Sequence, residues 1–126
     1  VPTVTTPREE VFLPGPLMPD VETGRGDIVV TKTACSAFHC GSSSLDALLR
    51  NLFVEQLVVC GQLTDQCVES AVRDAADLGY LVTVVEDACA AHSSDEHQKG
   101  LHGMRGFCRI LRTEEVLGEI NNASQV

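Results

Sequence analysis

Positive charge is scarce in this chain: nine lysines and arginines stand against eighteen aspartates and glutamates, a net charge of −9 over 126 residues. The cations form no cluster either. Phosphate backbones and anionic membrane surfaces are bound by concentrated Lys and Arg, so neither nucleic acid nor membrane is expected as a partner. No apolar run approaches the roughly 20 residues that a spanning helix needs. Val1 to Arg8 also lacks the charged and apolar regions of a secretory signal. There is no Cys-x-x-Cys pair, and Cys35 with Cys40 has no matching second half, which argues against the common zinc frameworks. Neither an internal repeat nor a low-complexity tract occurs.

What is present suits one α/β domain. An apolar content of 44% supplies one core in a chain of this length, though not two. The six cysteines, Cys35, Cys40, Cys60, Cys67, Cys89 and Cys108, mostly lie in or beside apolar, strand-like runs. They read as reduced thiols, which predicts a cytoplasmic setting. His92 and His97 share a loop or short helix with Asp95 and Glu96; these are taken as solvated side chains, and no metal or cofactor is expected.

Residues 1–26 are rich in Pro, Gly and Thr and predict an extended arm or loop, with the domain proper spanning 27–126. From Asp27 onward the runs Ile28–Thr31, Leu57–Cys60, Leu81–Val85 and Phe107–Leu111 are β-rich and lack polar alternation, as in parallel strands covered on both faces. Between them Leu45, Leu48, Leu49 and Leu52 fall at helical spacing, with Ser43 and Asp46 placed as a capping box. A second helix over Val68–Leu78 has Val68, Ala71, Val72 and Ala75 as its buried stripe, while Glu69, Arg73 and Asp77 form an i, i+4 ladder read as a solvated face. A last helix is expected near Thr113–Ile120, followed by a polar tail. Repeated β-α-β units predict a three-layer α-β-α sandwich with a mainly parallel, Rossmann-like sheet and ligands at the carboxyl ends of the strands.

Two blocks sit at such strand ends. Leu57–Cys60 runs into Gly61-Gln62-Leu63-Thr64-Asp65-Gln66-Cys67 and then the second helix. A helix start carries unpaired amides and the positive end of the macrodipole, so a thiolate at Cys67 is favoured there. A strand-to-helix elbow also exposes a nucleophile and turns backbone N–H groups toward the oxygen of an attacked carbonyl. A cysteine in this place can equally pack as a small apolar residue. The other block, Thr31-Lys32-Thr33-Ala34-Cys35-Ser36-Ala37-Phe38, ends Ile28–Val30 with a lysine whose ammonium, beside a thiol in a cleft, would stabilise negative charge.

Together these blocks resemble the isochorismatase-like cysteine hydrolases, the superfamily of nicotinamidase, carbamoyl-amide hydrolases and isochorismate hydrolase. The likeness runs from about Asp27 to Leu117 and includes Lys32, Ser36-Ala37-Phe38, Thr64-Asp65, Cys67-Val68-Glu69-Ser70, Arg73-Asp74-Ala75 and Glu86-Asp87-Ala88-Cys89. The resemblance implies that Cys67 is the nucleophile and Lys32 the basic member of an Asp-Lys-Cys triad. It also implies an oxyanion hole from the N–H groups of Leu63 and Cys67, a cis peptide between Gln62 and Leu63, and a pocket walled by Ser36 and Phe38. The implied reaction is hydrolysis of a small amide-type C–N bond through a thioester, in a homodimer or homotetramer. Isochorismate-type vinyl-ether hydrolysis, or an inactive member acting by binding or assembly, are the alternatives.

The family's triad aspartate belongs to an Asp-x-Gln motif on the first strand, and nothing between Val1 and Thr31 has that form. Asp20 is the one aspartate ahead of Asp27, and it follows Met18-Pro19 rather than an apolar strand. The expected fold is therefore an isochorismatase-type sheet without its N-terminal strand or strands. Either the chain is part of a longer product, or it is a degenerate member with impaired chemistry.

Overall fold

The computed structural model describes residues 22–125. Asp20 and most of the expected N-terminal arm lie outside them. Three parallel strands form a sheet in the order β1-β2-β3: β1 is Gln56–Gln62, β2 is Leu81–Ala90 and β3 is Arg109–Leu111. The accompanying helices are α1 (Leu45–Asn51), α2 (Glu69–Asp77), α3 (Ser94–Met104) and α4 (Thr113–Ala123), and a π-helical turn over Thr64–Val68 joins β1 to α2.

The register explains the layers. Leu57 lies opposite Val82 and Val59 opposite Val84, while Val58 lies opposite Thr83. Side chains alternate between faces, so the first four residues share one side of the sheet. There they pack with Val68, Val72 and Ala75, with Tyr80, and with Leu101 and Met104 of α3. Val58 and Thr83 face the opposite side, where Val116 and Ile120 of α4 line the same cleft. The fold is thus the expected α/β layering on a parallel sheet.

The centre of the sheet follows the sequence pattern and its edge does not. Val82 to Val85 are all buried, as a strand covered on both faces requires. β1 is an outer strand of the described sheet, and Val58 is 55% exposed. Ile28–Thr31 forms no strand: Ile28 and Val29 are 57% and 65% exposed, and the segment pairs with no described strand. β-propensity expresses packing against neighbouring strands, and among the described residues this stretch has none beside it. α1 buries none of its residues fully for a similar reason, since its apolar side faces a groove.

Capping departs from expectation at two helices. Ser43 Oγ accepts from Leu45 N (3.2 Å) and donates to Ala37 O, whereas the Asp46 carboxylate accepts from the Tyr80 hydroxyl at 2.7 Å and so completes no capping box. α3 occupies the stretch read as a loop or short helix. Its signal was present as Ser93 and Glu96, whose side chain and backbone N–H engage each other as a cap.

α1 and α2 end alike. Val54 N donates to Leu49 O and Phe53 N to Arg50 O; Tyr80 N donates to Ala75 O and Gly79 N to Ala76 O. Both are Schellman endings, with Gly79 at φ 93° and Phe53 at φ 57° in the left-handed position.

Candidate active site

The turn that carries Cys67 is fixed from several directions. β1 ends at a cis peptide between Gln62 and Leu63. Leu63 O then accepts from Gln66 N at 3.1 Å and from Val68 N at 3.2 Å, the second being the i to i+5 bond that widens the turn. Thr64 is fully buried, and its hydroxyl pairs with His97 Nδ1 of α3 at 2.8 Å. α3 comes so close that a Cβ at Gly100 would lie 2.7 Å from Asp65 N and 2.8 Å from Thr64 C. Only a glycine permits that approach, which backs the turn against α3.

On the other side of the turn the loop after Lys32 closes in. Lys32 Nζ stands 3.9 Å from Cys67 Sγ and donates to Ala34 O at 2.9 Å. Thr33 N and Ala34 N both donate to Ser42 Oγ, which ties the loop back on itself. Cys35 Sγ lies 3.7 Å from Cys67 Sγ, and Ser70 Oγ donates to Cys35 Sγ at 3.6 Å. A groove of about 450 Å³ runs from these groups along β1, walled by Phe38, Leu49, Leu57 and Val59. This volume suits a small molecule. A slightly larger cavity, about 520 Å³, lies at the amino ends of β2 and β3 beside Arg109 and contains none of the predicted site residues.

Most of the predicted site residues converge. Lys32, Phe38, Gln62 and Cys67 line the groove, and Leu63 begins the turn between the last two. Phe38 rests on Tyr80, with ring centroids 5.7 Å apart. Ser36 is placed elsewhere: it is buried, its hydroxyl accepts from Phe38 N at 3.1 Å, and it lines a small dimple on the outer side of the loop. It shapes the turn and does not wall the groove. Among the described residues no group of three or more His, Cys, Asp or Glu could hold a metal ion, and none of their helices is long and apolar enough to cross a membrane.

Two supports were not legible beforehand. The Glu69–Arg73 pair (2.9 Å) is more than a solvated ladder, because Arg73 also donates to Gly103 O at 2.8 Å and lies over the Phe107 ring, clamping α2 to α3. Gly100 carried no signal, since its importance depends on a neighbour 35 positions earlier. Of the remaining thiols, burial pushes those of Cys89 and Cys108 up. The Asp87 carboxyl is held below its usual range, first by the backbone N–H of Thr113.

A thiol and an ammonium thus meet over an apolar groove at the carboxyl end of a parallel strand, the position where open α/β sheets place their ligands. The sequence of this α/β protein matches the model of the isochorismatase domain over residues 14–115, and the chain belongs to the isochorismatase family. It is 33% identical over 95 residues to the isochorismatase family protein YecD of Escherichia coli O157:H7, covering 75% of this chain and 50% of that one. It is 43% identical over 72 residues to the ureidoacrylate amidohydrolase RutB of Variovorax paradoxus, covering 57% and 28%. The crystal structure of an isochorismatase-family protein from Chromobacterium violaceum superposes with a TM-score of 0.75 at 34% identity, covering 83% of this chain and 60% of that one. The chain spans about half the length of the first curated relatives it matches.

Proposed function

We propose that this chain carries the nucleophile half of a cysteine hydrolase acting on a small amide-type C–N bond. The observation that carries the reading is the 3.9 Å approach of Lys32 Nζ to Cys67 Sγ at the end of an apolar groove. In this reading the Cys67 sulfur attacks the amide carbon, forming a C–S bond as the carbonyl pair moves to oxygen. The backbone N–H groups of Leu63 and Cys67 receive that oxyanion, and Lys32 adds a nearby positive charge. Collapse expels the amine or ammonia, leaves a thioester on Cys67, and water releases the acid. Phe38 offers an apolar face to a small planar substrate. The amidohydrolase relative supports an amide as substrate.

Departure of the amine requires a proton, which the family draws from its triad aspartate. Among the described residues Lys32 is bonded to the Ala34 carbonyl and to Cys67, and to no carboxylate. One positioned acid–base group is worth about a hundred- to ten-thousand-fold in rate. Acylation of Cys67 by an activated ester, whose leaving group needs no proton, should therefore outpace turnover of an amide in this chain alone.

The test is an ammonia-release screen over nicotinamide, ureido acids and biuret-like compounds, run beside intact-mass detection of an acyl group after incubation with an activated ester. Acyl mass on the wild type, its loss in Cys67→Ala and its slower appearance in Lys32→Met are expected. Acylation that persists in Cys67→Ala would overturn the proposal.

A further inference from the structure

We infer that Cys35 and Cys67 are a modification site: a thiol pair that peroxide converts to a reversible disulfide, with Cys35 as the resolving partner. The two sulfurs are in van der Waals contact at 3.7 Å although 32 positions separate them in sequence. They belong to independent pieces of chain, the turn-rich loop after Lys32 and the π-helical turn before α2. A disulfide needs the sulfurs about 2.05 Å apart. The remaining approach falls to side-chain rotation and to a loop with no helix or strand between residues 33 and 44, where strain is easily spread.

The surroundings assign different parts to the two thiols. Cys67 faces the groove, within reach of the Lys32 ammonium. Cys35 is exposed, borders both the groove and the outer dimple beside Ser70 and Asp74, and accepts a hydrogen bond from Ser70 Oγ. Peroxide entering the groove therefore meets Cys67. Its thiolate attacks one peroxide oxygen, the O–O bond breaks, and sulfenic acid forms with release of hydroxide. The Cys35 sulfur then attacks the sulfenic sulfur, the S–O bond breaks, and water leaves with the Cys35 proton. Each peroxide has accepted two electrons from the pair. A dithiol reductant reverses the step by attacking the exposed Cys35 sulfur from the dimple, which returns Cys67 as the leaving thiolate. The bond would spare Cys67 from irreversible sulfinic acid. Its formation does not depend on the hydrolase reading; only the accompanying loss of turnover does.

The experiment treats the full chain with equimolar hydrogen peroxide and dimedone, blocks free thiols, digests without reductant and reads the peptides by mass spectrometry. A Cys35–Cys67 linked peptide is expected, and dithiothreitol should abolish it. Dimedone on Cys67 should be scarce in the wild type and abundant in Cys35→Ser, while Cys40→Ser, altered at an exposed thiol outside the groove, should match the wild type. Cys35→Ala repeats the comparison with a different side chain, and circular dichroism checks that each variant folds. Equal dimedone labelling of Cys67 with and without Cys35, or linkage of Cys67 to another cysteine, would overturn the inference. These readouts hold even if no substrate is found, so failure here and failure of the hydrolase reading are separable.

Discussion

Alanine at Gly100 should destabilise the protein, against the usual rule that Ala is the better helical residue. The added Cβ would lie 2.7 Å from Asp65 N, 2.8 Å from Asp65 Cα and 2.8 Å from Thr64 C. Comfortable carbon contacts lie at about 3.5–4.0 Å, so roughly 0.7–1.3 Å of separation has to be found. All three neighbours are backbone, and none can rotate away. Either α3 lifts from the turn, stretching the Thr64–His97 hydrogen bond, or the turn itself moves. Forced overpacking of this kind costs about 1–3 kcal/mol. Ala returns about 0.8–1.0 kcal/mol of helix propensity relative to Gly. Taking the two ranges together, the net expectation is a loss of up to about 2 kcal/mol.

Gly118, inside α4, has nothing within 4 Å of its would-be Cβ. Gly118→Ala should therefore keep the propensity gain alone, a stabilisation of up to about 1 kcal/mol. Gly103→Ala falls between them, because its Cβ meets the Glu69 carboxylate, the movable end of a side chain. Urea titrations of the three variants would show the order in their midpoints at unchanged slope. If Gly100→Ala were as stable as Gly118→Ala, the close packing of α3 on the nucleophile turn would be wrong. Iodoacetamide labelling of Cys67 gives a second readout, since a displaced turn alters its approach to Lys32.

Phe53→Gly should raise stability by roughly 1 kcal/mol, because Phe53 holds a left-handed φ of 57° at a Schellman ending while the residue is 91% exposed and adds little burial. A lowered urea midpoint would contradict this. Asp87 supplies a pH signature: the Thr113 N–H and hydroxyl depress its folded carboxyl below the unfolded value of about 3.9. Its contribution is fully present above that unfolded value and is lost as pH falls through the folded one. Asp87→Asn should therefore lower stability at neutral pH, by a margin that shrinks in acid. A margin independent of pH would refute the assignment.

Where pattern and packing agreed, they agreed for local reasons. Val82–Val85 reads as a doubly covered strand because an uninterrupted β-branched run has few other places to go, and it is buried throughout. Of the stripe expected on the second helix, Val68, Val72 and Ala75 are inside, while Ala71 is half-buried and lines the groove. The difference at Ile28–Thr31 has the opposite cause: similar local chemistry leaves a segment unpaired when no strand among the described residues lies beside it. The sequence reads α3 only as a loop or short helix, because its acidic, His-containing first turns mask the Ser93-x-x-Glu96 cap. At the site, Cys67 was legible as part of a strand-to-helix turn, and Lys32 reaches it although the Ile28–Thr31 run before it forms no strand; Ser36 was drawn toward the groove by motif alone and is held outside it by its own turn.

Local order along the chain was enough to determine the alternation of strand and helix, the parallel layering and the strand-end position of the Cys67 thiol, because periodicity and turn chemistry act over a few residues. Tertiary structure alone decided that Lys32, Cys35 and Cys67 meet, that Gly100 must lack a side chain, and that Arg73 clamps two helices. Those contacts join residues some 30 or more positions apart. Such distances close only when the sheet and its covering helices have packed.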